Sequence, residues 1–358
     1  MRVGIYDPYL DDLGGGEKYM MTIAQCLAKH HDVSVFWDNK EDFDGLLKRF
    51  SLNLDAVTLT KNIFSSKVSF WERLLSTRNY DAIIVLTDGS IPLTLSKKLF
   101  LHIQQPLPQT NIASWKGFLK KTKISGIFYN SDFTKSFNDR LFPNIPARII
   151  YPPVYWQHQD TKKENIILHV GRFRPKNVGV SDFKKQGVMI DAFKQMVDKK
   201  MTNGWKFILA TSMKPEDEVK FAPLKKAIKG YPIEILLNKT NDELWDVYNK
   251  AKIYWHASGF GEDLQKHPEF AEHFGISTVE AMGAGVVPVV INAGGQPEIV
   301  TEGDNGFLWN TLEELQAKTK KLIDTPALLT KLSAAAMDDA KKFSQEKFCK
   351  AITQLVSD

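Results

Sequence analysis

A chain of 358 residues with 43% hydrophobic and 25% charged side chains is long for a single core and comfortable for two globular domains of ordinary size. It holds no run of about 18 apolar residues, which excludes a spanning helix, and its opening MRVGIYDPYL meets acids by Asp7, so it reads as a first core strand and not a signal peptide. The net charge of +5 is uneven: residues 1–150 hold 19 Lys and Arg against 15 Asp and Glu, and 89–131 hold Lys97, Lys98, Lys116, Lys120, Lys121 and Lys123 with no acid, too small an excess to imply a nucleic-acid partner.

In chain order, apolar strand-like runs at 3–6, 33–37, 82–86, 99–103, 126–130 and 147–150 alternate with helical segments, the pattern of a parallel sheet covered on both faces. The alternation pauses at Tyr151-Pro152-Pro153-Val154, where each proline pushes the preceding residue out of the helical region; this marks a linker. A second series follows at 166–170, 205–210, 233–237, 253–255 and 286–291. The expected class is therefore α/β, with two doubly wound, Rossmann-like domains facing each other across a cleft. The closing FSQEKFCKAITQLV spaces Phe343, Phe348, Ile352, Leu355 and Val356 as an amphipathic helix. Cys26 and Cys349 lie far apart and point to neither a metal cluster nor a disulfide scaffold, so a reducing cytoplasm is expected.

In the first half, Gly14-Gly15-Gly16-Glu17 follows the first strand. Three glycines lose backbone entropy on folding, so they imply a loop that must approach something closely, such as a phosphate. The motif fails as a dinucleotide fingerprint because Lys18 and Tyr19 stand where the last glycine belongs. His102 closes a strand before a proline-containing loop, at the end of the sheet where ligands bind; packing is its alternative. Ser131 and Thr134 follow another strand, and helix capping explains them equally well. The basic segment SWKGFLKKTK interleaves Trp115, Phe118 and Leu119 with lysines, the composition of an element lying on an anionic membrane or of a solvated helix face. Asp42-Phe43-Asp44 is a D-x-D with nothing beside it to support a metal site.

The most informative stretch runs EHFGISTVEAMGAGVVPVV from Glu272, then INAGGQPEIV. Two carboxylates eight residues apart flank a Phe274-Gly275 turn. A helix-like segment with small residues and an apolar strand follow. Glycine at a helix entrance lets backbone amides approach an anion, and the dipole favours negative charge there. Upstream, Gly171-Arg172 follows a strand, and FKKQGVMIDAF opens a helix. This E-x7-E with FG inside it, followed by GG-x-PEIV, resembles the retaining glycosyltransferases of family 4, which have the GT-B fold.

The resemblance runs over essentially the whole chain. It implies an acceptor domain at 1–151, a nucleotide-sugar donor domain at 152–339, and a helix from 340 to 358 crossing back to the first domain. It directs Arg172 and Lys184 at the donor diphosphate, with Lys185 the neighbour that takes the role if the register shifts, and leaves Arg174 and Lys176 as loop charges. Glu280 would hold ribose hydroxyls and Glu272 the donor sugar. Phe274, Gly275, Ile276 and Ser277 would supply amides, Leu237, Asn238 and Lys239 would line the base pocket, and Gly15 and Gly16 would approach the donor. Leu244 and Tyr248 read as core residues of a short helix, and His169 as part of its strand. With Glu272, His102, Arg172 and Lys184 as the catalytic set, the implied activity is retaining transfer of a hexose from a UDP- or GDP-sugar to a hydroxyl of a glycan or lipid-linked glycan, without metal or other cofactor. The departing phosphate would accept the acceptor proton. A cytoplasmic site at the inner membrane face, with peripheral contact to anionic lipid, fits the basic stretch. A glycan phosphorylase lacks its lysine motif here. The rival from another class is a non-catalytic nucleotide-sugar or carbohydrate-binding protein of the same fold.

Overall fold

Runs rich in Val, Ile and Phe without helical periodicity pair as strands, and the periodic segments between them pack as helices, in a computed structural model that describes residues 1–12, 14–107, 121–174 and 182–357. One unit comprises Met1–Pro153 with Gln345–Asp358. Its strands are β1 Arg2–Tyr6, β2 Asp32–Phe36, β3 Val57–Thr60, β4 Ala82–Leu86, β5 Lys98–Ile103, β6 Gly126–Tyr129 and β7 Ala147–Ile149. They form one parallel sheet in the order β3-β2-β1-β4-β5-β6-β7. The described helices are α1 Gly15–Leu27, α2 Lys40–Phe50, α3 Phe70–Thr77 and α4 Asp132–Asn138. The chain order reverses between β1 and β4, so the C-terminal ends of these strands form the edge where open α/β sheets bind ligands.

The second unit, Val154–Ser344, repeats the plan. Strands β8 Ile166–Val170, β9 Lys206–Thr211, β10 Ile233–Leu237, β11 Ile253–His256, β12 Val287–Ile291 and β13 Phe307–Trp309 form a parallel sheet in the order β10-β9-β8-β11-β12-β13. Its helices are α5 Gln186–Asp198, α6 Glu218–Ala227, α7 Asn241–Lys250, α8 Ile276–Gly283, α9 Gln296–Ile299, α10 Leu312–Asp324 and α11 Pro326–Ala340. The core of this unit includes Phe193, Phe207, Trp255 and Trp309. Two strands, β3 and β13, escape the sequence pattern; both are edge strands, of four and three residues.

The last helix, α12 Gln345–Ser357, belongs to the first unit. Phe348, Ile352, Leu355 and Val356 enter the core layer that holds Tyr19, Met20 and Ile23 of α1. This docking corrects the reading of the cysteines as unlinked. Cys26 and Cys349, 323 residues apart, have Cα atoms 5.1 Å apart and form a disulfide. Sequence separation carried no information once α12 lay on α1, and the cysteines no longer argue for a reducing compartment. No helix among the described residues is long and apolar enough to cross a membrane.

Candidate functional site

In the second unit the sequence motifs converge at the C-terminal edge of the sheet. β8 ends at Val170 and delivers Gly171 and the half-buried Arg172; β11 ends at His256. Glu272 sits in the turn before α8. Its Oε2 accepts hydrogen bonds from the Lys184 ammonium and from His256 Nε2, the latter at 3.0 Å. A carboxylate oxygen only accepts, so His256 carries its proton on Nε2. Burial by itself would raise the Glu272 carboxyl, but the Lys184 charge and the His256 bond outweigh it and hold the group well below the usual range. Burial pushes the His256 imidazole down, which keeps the ring neutral, and its Nδ1 is buried without a partner. Behind it lies His169, pushed down to about 3 by burial, with its Nδ1 on the Trp255 carbonyl at 2.9 Å. Gly171 is required here, because a Cβ would lie 2.9 Å from His169 Nε2.

The two adjacent lysines have different partners. Lys185, the residue before α5, adopts a left-handed φ of 55° and its ammonium pairs with Glu262. Its register sends Lys184 to Glu272. Asp182 secures the turn by accepting from the amides of Gln186 and Gly187, both at 2.8 Å. Lys176 lies outside the described residues.

Helix α8 begins at a glycine in a conformation few side chains adopt: Gly275 has φ 122°, and a Cβ would collide with the Gln296 amide. Gln296 is held in turn by the Thr278 hydroxyl at 2.9 Å. The amides of Ile276 and Ser277 precede the first helical bond, from the Thr278 amide to the Gly275 carbonyl at 3.0 Å, and lie at the positive end of the dipole. Glu280, one turn on, accepts from the Tyr248 hydroxyl at 3.1 Å, and Tyr254 donates to Ser277 Oγ at 2.7 Å. Tyr248 is thus more than the core residue its α7 spacing implied. Gly294, with φ 63°, lets the chain pass the Glu272 carbonyl, which accepts from the Gly295 amide at 2.8 Å. On the same edge, Leu237 ends β10 half-buried. Asn238 is exposed, with φ 50° and its Oδ1 on the Met213 amide; Lys239 pairs with Glu243, and Leu244 is half-buried.

The first unit treats its candidates differently. The glycine loop is shorter than expected, since Gly15 and Gly16 already belong to α1. The buried Glu17 accepts from the Gly14 amide at 2.5 Å and closes the helix start. Gly16 is explained by packing, because a Cβ would strike the Gln104 amide. His102 is fully buried between Tyr19 and Phe128, ring centroids 4.1 and 4.7 Å away, with Nδ1 on the Phe128 carbonyl and its basicity pushed down to about 3 by burial; the side chain is a core group here. Ser131 caps α4 by accepting from the Thr134 amide at 3.0 Å. Asp42 accepts from the Trp37 indole at 3.1 Å within α2, and no group of three His, Cys, Asp or Glu among the described residues is placed to hold a metal.

Sequence reasoning missed Asp7. It follows β1, is buried, and accepts from the Tyr9 amide at 2.9 Å through Oδ1, while Oδ2 has no partner. Burial, with Glu17 and Asp11 nearby, pushes its carboxyl up to about 7. The signal was available in a lone acid at the end of an apolar first strand. His256 and Tyr254 were missed for a similar reason, since both sit in an apolar run with no motif of their own.

Two parallel-sheet, Rossmann-like units define a GT-B protein, and solved structures share the fold. The structure of Anabaena Alr3699/HepE in complex with UDP and glucose aligns over 100% of this chain and 99% of its own with a TM-score of 0.74 at 19% identity. A glycosyltransferase from Rickettsia africae ESF-5 aligns over 99% and 97% with a TM-score of 0.73 at 16% identity. The family model for glycosyl transferases group 1 matches residues 155–339, and the chain belongs to that family. Among curated relatives, the GDP-Man:Man(3)GlcNAc(2)-PP-Dol alpha-1,2-mannosyltransferase of Dictyostelium discoideum is 23% identical over 269 residues, covering 71% of this chain and 50% of the relative. Its Xenopus tropicalis counterpart is 29% identical over 219 residues, covering 56% and 41%. The chain spans half the length or less of these relatives.

Proposed function

We propose that the chain is a glycosyltransferase that moves mannose from GDP-mannose, with retention, to a hydroxyl of a lipid-diphosphate-linked glycan. The observation that carries the reading is the Glu272 carboxylate held by Lys184 and His256 beside the N-terminus of α8, with Glu280 one turn further on. The guanosine and mannose assignments rest on the curated relatives named above.

In this mechanism the donor diphosphate takes Lys184 from Glu272 and binds it together with Arg172 and the first-turn amides of α8. These groups stabilise the charge that grows as the glycosidic bond breaks. Glu272 stays ionised and in place through His256 and accepts from the mannose hydroxyls; Glu280 accepts from the ribose. No carboxylate in the motif is assigned as a nucleophile, so the acceptor hydroxyl attacks the face the phosphate leaves, and a phosphate oxygen takes its proton. The diphosphate charge falls to Arg172 and Lys184, and the proposal includes no metal.

The test is a thermal-shift panel of GDP, UDP, ADP and their sugar conjugates, followed by transfer from labelled GDP-mannose to a lipid-linked acceptor with anomeric analysis of the product. Stabilisation by GDP ligands that disappears in Glu280→Ala, with an α-linked product, is the expected result. Selective stabilisation by uridine ligands would reassign the donor. No shift with any nucleotide at millimolar concentration would remove the enzyme reading in favour of a non-catalytic protein of this fold.

A further inference from the structure

Helix α3 of the first unit carries its apolar side chains outward. Phe70 is 51% exposed, Trp71 69% and Leu75 61%, and the Phe70 and Trp71 rings meet edge to face with centroids 5.3 Å apart. Helical spacing sets Trp71 and Leu75 on the outward arc with Phe70 at its rim, while half-buried Leu74 turns inward. The inward arc serves the unit. Arg73 donates to the carbonyls of Ile63 and Ser65 at 3.1 and 3.2 Å, and the Thr77 hydroxyl accepts from the Leu95 amide at 2.9 Å. Leu95, 42% exposed, extends the apolar face at that end. Exposed leucines scattered singly are ordinary; a contiguous group with Trp and Phe on one short helix marks a contact surface.

The charges around this face are cationic. Exposed Lys67 precedes the helix and exposed Arg78 ends it, while Glu72, the one acid in α3, is tied to Lys61 at 2.7 Å. Helices between parallel strands run opposite to them, so the first turn, with Phe70 and Trp71, lies at the C-terminal edge of the sheet. Exposed Tyr9, whose hydroxyl donates to Asp88 at 2.7 Å, is at the same edge.

We propose that this face seats the first unit on an anionic lipid bilayer, with the two rings in the interface and Lys67 and Arg78 on the headgroups. Aromatic rings with aliphatic neighbours partition to that depth, and flanking cations add attraction to anionic lipid. A glycan would stack on the rings but gain nothing from leucines, and no amide or unpaired carboxylate of α3 is set to bond its hydroxyls. A two-fold copy would bring Lys67 and Arg78 against like charges. The basic stretch named from the sequence, 97–123, is described only in part. Lys97 pairs with Asp81, Lys98 donates to the Val356 carbonyl and Lys121 to the Leu141 carbonyl, while 108–120 lie outside the described residues. The inference deepens the lipid-linked acceptor proposed above, but its test reads binding without donor or turnover.

The full chain is floated with phosphatidylcholine vesicles, with and without phosphatidylserine, at low and high salt. Wild type is expected to float with the anionic vesicles. The triple variant Phe70→Ser, Trp71→Ser, Leu75→Ser should lower the bound fraction about tenfold, and Lys67→Glu with Arg78→Glu should abolish the preference for phosphatidylserine. Both variants should keep the nucleotide shift of wild type. Failure of wild type to float, or equal flotation of the charge variant, overturns the proposal even if the triple variant folds poorly. A dimer in sedimentation that the triple variant dissolves assigns the face to a second copy and overturns it. A triple variant that floats normally but loses transfer to a water-soluble acceptor assigns the face to glycan stacking and overturns it too.

Discussion

Replacing Asp7 by Asn is expected to stabilise the protein at neutral pH. The carboxyl is buried, satisfies one oxygen with the Tyr9 amide, leaves the other without a partner, and is raised from an ordinary 3.8 to about 7. A difference of about 3 pH units between folded and unfolded states corresponds to about 4 kcal/mol. The folded chain binds this proton more tightly than the unfolded chain. The associated stability is therefore fully present below pH 3.8, falls as pH rises, and is gone once pH passes about 7. Asn keeps the oxygen that Tyr9 needs and carries no charge. The variant should match wild type near pH 4 and exceed it by up to about 4 kcal/mol at pH 8, which is about 10 °C in melting temperature for a unit of this size. Urea unfolding of both proteins across pH 4 to 8 measures it. A variant no more stable than wild type at pH 8, or one that keeps the wild-type slope, would refute the burial argument. An ionisable group retained at that cost, at the ligand edge of the sheet, also points to use, so the stabilised variant should turn over more slowly.

Three further outcomes are expected. Glu272→Gln removes the charge that Lys184 and His256 share, so glycosyl transfer should fall by about 100-fold or more while nucleotide binding is kept or tightened, because Lys184 is freed; unimpaired transfer would sink the assignment. Reduction, or Cys26→Ser with Cys349→Ser, should cost about 2–5 kcal/mol in the first unit, read as a lower melting temperature, and identical melts with and without reductant would show that the sulfurs are not bonded in the purified protein. Gly275→Ala forces a side chain into a φ of 122° and against Gln296, and should cost about 2–4 kcal/mol and abolish the nucleotide shift; a wild-type melt with an intact shift would refute the tight entrance to α8.

Much of the fold was readable because it rests on period and length. The apolar runs, the helices between them and the proline pause at 151–154 survive any arrangement of the chain in space. The motif around Glu272 was readable for the same reason, since a glycine at a helix entrance and two acids eight residues apart are local facts. Side-chain partners were not. His102 and His256 both end strands in apolar runs, yet one is sandwiched between Tyr19 and Phe128 and the other bonds Glu272. Tyr248 looks like helix core and is, but its hydroxyl reaches Glu280 from another element.

By itself, then, the sequence determined two α/β units with parallel sheets and the glycine-bounded acid motif, which follow from hydrophobic periodicity and backbone preference within a few residues. Only the tertiary structure decided that Lys184 rather than Lys185 meets Glu272, that Cys26 lies against Cys349, that Asp7 is buried with one oxygen unpartnered, and that α3 turns its aromatic face outward. Those facts depend on which surfaces of distant segments come together, and on how much water is left around a charge when they do.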